Sequence, residues 1–426
     1  MKTTRFADIK SGDIIKFTNS VGLVSHRLSG YIYGWTTQGK EFSISESNNT
    51  TLQVLDKSHE NRVKTLVSAI NKATEFKNRA NKLNRIVYYT GADPEVFVEN
   101  EKGETIPAFV FLPDKKTPIM GAHETAYWDG VQAEFTIFAG SCHQERTWSV
   151  RRGLNLVWEA AKKLDATARL SCKTVIEVDD AFLQNTDPKY LEFGCAPSLN
   201  AYGLHGKIAE GPITKMRCAG GHIHFSYSNA KYTEKRVEHV KWLDRTIGLL
   251  CVCLLKDLDN PIRREYYGLP GEYRETNYSD TIKGVEYRTL SNGYLCHPTT
   301  TILIYDVARN AMSIEGTEIA KLWNGTDEEV IEAIRDCNAA KAKEIILRNE
   351  EFFLLLLTRS YLYLSRKEIR ATLNAFLSGI KTIVKSPEDV VGNWDLEGLG
   401  KPNSDFNSNK YWTYQIKRIM RGEFCV

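Results

Sequence analysis

No uninterrupted apolar run among the 426 residues reaches the roughly 18 needed to span a bilayer, and Met1 to Asp8 lacks the apolar core of a secretory signal. The longest apolar run, Ile247 to Leu255, reads as a buried helix segment, and the expectation is a cytoplasmic protein with no membrane partner. A large excess of one sign of charge is lacking as well: 56 Lys and Arg against 53 Asp and Glu leave a formal net charge of +3. There is thus no global basic field to argue for nucleic acid, and polynucleotide binding would need a local patch. Nine cysteines, an odd number at irregular spacing, do not form a disulfide framework and predict reduced thiols. Cys251 and Cys253 diverge on a helix and read as small core residues. GxxxxGK(S/T), GxGxxG and the HRD/DFG pair are all missing, which excludes P-loop, dinucleotide-fold and protein-kinase solutions. Internal repeats are absent too.

What is present suits a soluble globular protein, with 42% hydrophobic and 26% charged residues in a chain long enough for two or three domains, and strands followed by a helical C-terminal region make the expected class α+β. Residues 1–57 read as five short strands split by turns such as Ser11-Gly12-Asp13 and Thr37-Gln38-Gly39, which predicts a small β-barrel. Val63, Leu66, Val67, Ile70, Ala73 and Phe76 recur at helical spacing, which predicts a connecting helix over 58–84. A main domain is expected over 85–315 and a helical C-terminal region over 316–426. Within the main domain the spacing predicts helices over 145–164 and 233–258. Further helices are expected over 299–313, 327–348, 352–363, 365–385 and 410–421.

Four segments of the main domain read as strands with polar side chains two apart, and such residues share a face. Ile86 to Val98 carries Asp93 and Glu95, with a break at Gly91 and Pro94. Trp128 to Phe138 carries Glu134 amid apolar residues, where a carboxylate is costly unless a cation or donors meet it; Asp129 is a second acid close by. Cys218 to Tyr227 carries His222, His224 and Ser226 on one face and Ile223, Phe225 and Tyr227 on the other. Gly284 to Ser291 carries Glu286 and Arg288. Each pair alone has a bland reading as a solvated strand face; four in about 200 residues point to a shared site. Oxygen ligands with one or two imidazoles suit Mg²⁺ or Mn²⁺ rather than structural zinc.

Arg263 to Arg274 reads as a glycine-rich loop whose Arg263, Arg264 and Arg274, with Arg288, offer planar forks for phosphate or carboxylate oxygens. For Arg263 or Arg264 singly, a solvated loop is an adequate explanation. Carboxylate-held metals with arginines suit phosphoryl transfer. Three readings stay open on the residues: a ligase, a metal-dependent hydrolase or phosphotransferase, and an idle fold reused for binding.

Gly91-Ala92-Asp93-Pro94-Glu95, the acidic strand at Glu134, Gly220-Gly221-His222-Ile223-His224, Gly271-Glu272-Tyr273-Arg274 and Glu286-Tyr287-Arg288 come in an order that resembles the phage-type carboxylate-amine ligases, or amidoligases. These belong to the glutamine synthetase and glutamate-cysteine ligase superfamily. Glu192 to Ala201 is similar to that family too, and the resemblance covers about residues 87–310. It implies an antiparallel sheet curved into an open half-barrel, with ATP and two or three Mg²⁺ or Mn²⁺ ions between strands. It also implies phosphorylation of a carboxylate to an acyl phosphate that an amine then attacks. By motif position Glu95, Asp93, Glu134, His222 and Glu286 would be metal ligands, His222 being preferred over His224. Arg288, Arg274, His224 and Arg264 would be catalytic. Arg288, Arg274, Lys215, Arg217 and Ser226 would contact the nucleotide. An amino acid such as glutamate is implied as the carboxylate, with the amine left open, and the host cytoplasm if the gene is a phage's.

Overall fold

The computed structural model describes residues 5–9, 13–17, 20–28, 31–36, 41–46, 51–55, 87–137, 139–140, 143–191, 198–205, 215–279, 282–360 and 366–399. The helices expected over 58–84 and 410–421, and residues 192–197 of the Glu192–Ala201 stretch, lie outside these. The chain divides into two compact units, Met1–Asn84 and Arg85–Val426.

In the first unit β1 (Ile14–Phe17), β2 (Ser20–Leu28), β3 (Tyr31–Thr36), β4 (Glu41–Ser45) and β5 (Leu52–Val54) pair antiparallel in the order β4-β3-β2-β1-β5. Ile15, Val24, Ile32, Ile44 and Leu52, with Ile9, are buried together as its core. The expected five strands are present, but the barrel is not. β5 has three residues, all paired with β1, and no pairing of β5 with β4 closes the sheet among the described residues.

The second unit is a mixture of helices and open antiparallel sheets. β6 (Val87–Gly91) and β7 (Glu95–Glu99) part at Asp93-Pro94, as the proline demands. β8 (Ile119–Met120), β9 (Thr125–Asp129), β10 (Gln132–Thr136) and β11 (Arg169–Ser171) join β7 in one sheet of order β11-β7-β10-β9-β8. β12 (Val175–Glu177) pairs with β14 (Met216–Cys218). β13 (Leu199–Asn200), β15 (Ile223–Tyr227), β16 (Glu272–Asn277) and β17 (Lys283–Tyr287) join β6 in a sheet of order β13-β16-β17-β15-β6. The stretch from Trp128, expected as a single strand, turns back as the β9–β10 hairpin: Gly130 takes φ 64°, the left-handed conformation a two-residue turn needs.

The helix His143–Leu164 matches the expected one closely, and Ile223, Phe225, Val285 and Tyr287 bury the other side of the histidine sheet in the main core. The expected 233–258 helix is present but interrupted: Arg236–Leu243 and Leu249–Leu254 flank a π turn at Asp244–Gly248. Cys251 and Cys253 are buried core residues with free thiols. The 327–348 helix is two, Asp327–Arg335 and Ala339–Arg348, broken at Cys337, which takes φ 47°. Among the described residues no helix is long and apolar enough to cross a membrane.

Candidate active site

Strand register assembles the site. In β15, β17 and β16, His224 lies directly opposite Glu286, and Glu286 directly opposite Arg274, so the three side chains stand in one row on one face. On the other flank of β15, His224 is opposite Gly91, and Asp93 follows two residues on. In the second sheet Glu134 of β10 lies between Tyr127 of β9 and Glu95 of β7, forming another row. The backbone links them: Glu95 N donates to Gly220 O at 2.9 Å, and Gly220 N donates to Glu95 Oε2 at 2.7 Å.

Two groups of ligand atoms result, each within 4.8 Å of one another: Asp93, His224 and Glu286, and Glu95, Asp129 and Glu134. His222, just before β15, belongs beside the first, its Nδ1 lying 3.6 Å from Asp93 and 3.4 Å from Glu286. Both histidines therefore reach the first group, and His224 Nε2 meets Asp93 Oδ1 at 2.8 Å. Glu286 also pairs with Arg288 Nη1, and its other oxygen is 3.5 Å from Arg274 Nη1.

The groups differ in charge balance. Burial works to raise Asp93, yet His224 and His222 outweigh it and hold the carboxyl well below the usual range. Glu286 is likewise lowered, since His222 and Arg288 outweigh burial. In the second group burial, then the charges of Asp129 and Glu134, push Glu95 well above the usual carboxylate range. Burial with Asp93 and Asp129 pushes Glu134 up to about 8, and burial raises Asp129 despite Lys115 and Arg288. The Lys115 ammonium is 3.5 Å from Glu134, and the Tyr127 hydroxyl donates to the same oxygen. Two buried carboxylates and the half-buried Asp129, with one exposed lysine beside them, are short of positive charge, and that donor set fits a divalent cation.

The remaining expected residues separate. Ser226 lines a cleft of about 370 Å³ beside Asp93 and His224, walled by Tyr89, Ile137, Tyr278 and Ile282; its hydroxyl accepts from Tyr89 N at 2.9 Å. Arg274 stands in the row, and Arg288, two residues past Glu286, pairs with it. Arg264 does neither: with Arg263 it is buried on a short helix, Ile262–Tyr266, where a loop was expected. Arg264 bonds the carbonyls of Gly268 and Thr289 and, at 2.8 Å, Asp259. Arg263 bonds the carbonyls of Ala219, Thr289 and Leu290. These two buttress the motif strands from behind. Lys215 pairs with Asp180 at 2.7 Å, and Arg217 is buried on β14; neither joins the two groups.

Sequence reasoning missed Lys115, Tyr127, Tyr267 and Tyr278. Tyr278 OH lies 3.0 Å from His224 Nδ1, and Tyr267 OH touches both His222 Nε2 and, at 3.3 Å, Glu95 Oε1. A Cβ added to Gly220 would fall 2.4 Å from His222 Nε2 and 2.5 Å from Tyr267 OH, so the glycine is there to let these side chains approach the backbone. Gly220→Ala is expected to cost about 1–3 kcal/mol and to displace His222, seen as a lowered melting temperature together with weaker Mn²⁺ binding.

Residues 208–396 match the model of the family described as phage phiEco32-like COOH.NH2 ligase-type 2. Over this stretch the chain is similar to the carboxylate-amine ligases. The match takes in His222, His224, Arg274, Glu286 and Arg288 and begins after Asp93, Glu95 and Glu134. No curated protein matches the chain. Among solved structures it is similar to a bifunctional glutathione synthetase from Pasteurella multocida, at 10% identity and a TM-score of 0.42, over 81% of this chain and 54% of that one. It is also similar to a chain of the complex between the prokaryotic ubiquitin-like protein Pup and its ligase PafA, at 9% identity and a TM-score of 0.38, over 80% of this chain and 73% of that one. The chain thus spans about half the length of the glutathione synthetase.

Proposed function

We propose that the protein joins a carboxylate to an amine at the expense of ATP, by way of an acyl phosphate. The observation that carries this reading is the Arg274–Glu286–His224 row, with Asp93 and Arg288, set beside the electron-rich Glu95–Asp129–Glu134 group. Asp93 and Glu286, with His222 or His224, would hold one divalent cation, and Glu95, Asp129 and Glu134 another. When bound, such ions draw negative charge off the phosphate oxygens. The apolar cleft beside Ser226 suits a purine ring, because its walls are neutral apart from Asp93 and His224 and it opens next to the first group.

In the reaction a carboxylate oxygen attacks the γ-phosphorus as the bond to ADP breaks. The amine then attacks the acyl carbon, loses a proton and expels phosphate. Arg274 and Arg288 are placed to meet the charge on the transferred group, which is electrostatic stabilisation by pre-set donors. An amino acid such as glutamate is the proposed carboxylate, the amine is a class left to experiment, and the setting is the cytoplasm. The proposed frame is a glutamine-synthetase-like open half-barrel over 85–315, with a helical region over 316–426 packed against it.

The test is ADP release in a matrix of amino acids and amines with Mg²⁺, with products read by mass spectrometry. Release that needs Mg²⁺, carboxylate and amine together, with an amide product, is the expected result. Release that is equally fast with no acceptor, and no amide, would replace the ligase with a hydrolase on the same site.

A further inference from the structure

The residue that joins the two acidic groups is Tyr267, which follows the short helix Ile262–Tyr266 and is 5% exposed. Its hydroxyl is shared between His222 Nε2 and Glu95 Oε1, the latter at 3.3 Å. Its ring is held in turn: the Arg263 guanidinium lies 4.9 Å from the ring centroid and that of Arg288 lies 5.1 Å from it. The ring packs edge-on against His222, with centroids 5.2 Å apart. Arg263 is itself fixed by three backbone carbonyls, so the phenol hydroxyl stands on a rigid mount.

This geometry settles which atom His222 can offer. With Nε2 engaged by Tyr267, the ring presents Nδ1 toward Asp93 and Glu286, at 3.6 and 3.4 Å. An imidazole anchored through one nitrogen loses rotational freedom and holds the other nitrogen where a cation can be met; partners of this kind commonly change metal affinity by about 10–100-fold. The same hydroxyl reaches Glu95, which stands in the second group, so one side chain spans both.

We propose that Tyr267 is a positioning residue that presents His222 Nδ1 to a divalent cation and couples the two acidic groups. The proposal rests on the reading that cations bind at this face. It is tested by Mn²⁺ binding without nucleotide, so absence of ligase turnover does not bear on it, whereas a wild-type protein that binds no Mn²⁺ sinks the reading of the face itself.

The experiment is a double-mutant cycle of Mn²⁺ titrations on the full chain, by calorimetry and by the spin resonance of free Mn²⁺, with Tyr267→Phe, His222→Gln and the pair. Phe retains the ring between the two arginines. The expected result is about a tenfold loss of Mn²⁺ affinity in Y267F with a melting temperature close to wild type, and no further loss when Y267F is added to H222Q. Unchanged affinity in Y267F, or a full additional loss in the H222Q background, overturns the proposal. A large fall in melting temperature overturns it too, by making Tyr267 a packing residue. Should Y267F fail to fold, H222Q alone decides: Mn²⁺ affinity equal to wild type leaves Tyr267 no ligand to position.

Discussion

Glu286→Gln is expected to abolish metal-supported ATP binding and to cut turnover by on the order of 10³-fold, the scale on which a pre-set electrostatic group counts. Glu286 is 2% exposed and is the centre of the strand row: Arg288 pairs with one oxygen, Arg274 lies 3.5 Å from the other, and His222 Nδ1 is 3.4 Å away. The amide keeps the shape and part of the hydrogen bonding, but it removes the charge that balances Arg288 and a cation at once. Arg288 is buried, so leaving its charge less well met costs stability as well. A melting temperature lower by a few degrees, with a folded spectrum, is therefore expected alongside the loss of binding. ATP titrations with Mg²⁺ and with EDTA check the point; affinity like wild type in both would move the nucleotide off this face.

Glu134→Gln is expected to do the opposite to the metal-free fold: stabilise it, while lowering turnover by about 10²–10³-fold. Glu134 sits within 4.8 Å of Asp129 and Glu95, and its pKa is pushed up to about 8 by burial and by Asp93 and Asp129. Its folded-state pKa lies above the unfolded value of about 4.5, so the folded state binds the proton more tightly. That contribution is fully present below the unfolded pKa and is lost as pH rises through about 8. In EDTA the wild-type melting temperature should therefore fall between about pH 5 and 8, and E134Q should flatten that fall. Adding Mg²⁺ should restore the wild type at pH 8 and have little effect on the variant. A wild-type profile that is flat in EDTA would mean that the three carboxylates do not repel one another as their packing requires.

How far the sequence carried these results differs from residue to residue. The shared face of His224 and Glu286 was legible because side chains two apart in a strand point the same way and the polar pairs interrupt otherwise apolar strands, whereas Arg274 lay in a stretch that read as a loop and is in strand β16. Asp129 carried less weight because Trp128–Phe138 read as one strand; an Asp-Gly turn at Asp129-Gly130 folds it back, which sets Tyr127 opposite Glu134 and Asp129 on the same face. Arg263 and Arg264 misled for a different reason. Glycines around them suggested a loop open to ligand, but Pro261 starts a short helix there, and both guanidiniums are consumed by backbone carbonyls whose positions only the fold supplies. Tyr267 left no periodic signal at all, since its role comes from contacts with residues 45 and 172 positions away in the chain. The N-terminal strands were legible one by one, while closure into a barrel depended on a pairing that β5 is too short to extend.

The most direct test of the acyl-phosphate route is the fate of oxygen. With a carboxylate and amine pair found by the ADP-release screen, the carboxylate substrate is labelled with ¹⁸O and turned over with unlabelled ATP in unlabelled water. Ligation by way of an acyl phosphate predicts one ¹⁸O atom in each phosphate released and one left in the amide. Phosphate that carries no label, with ATP still cleaved to ADP, would contradict the account.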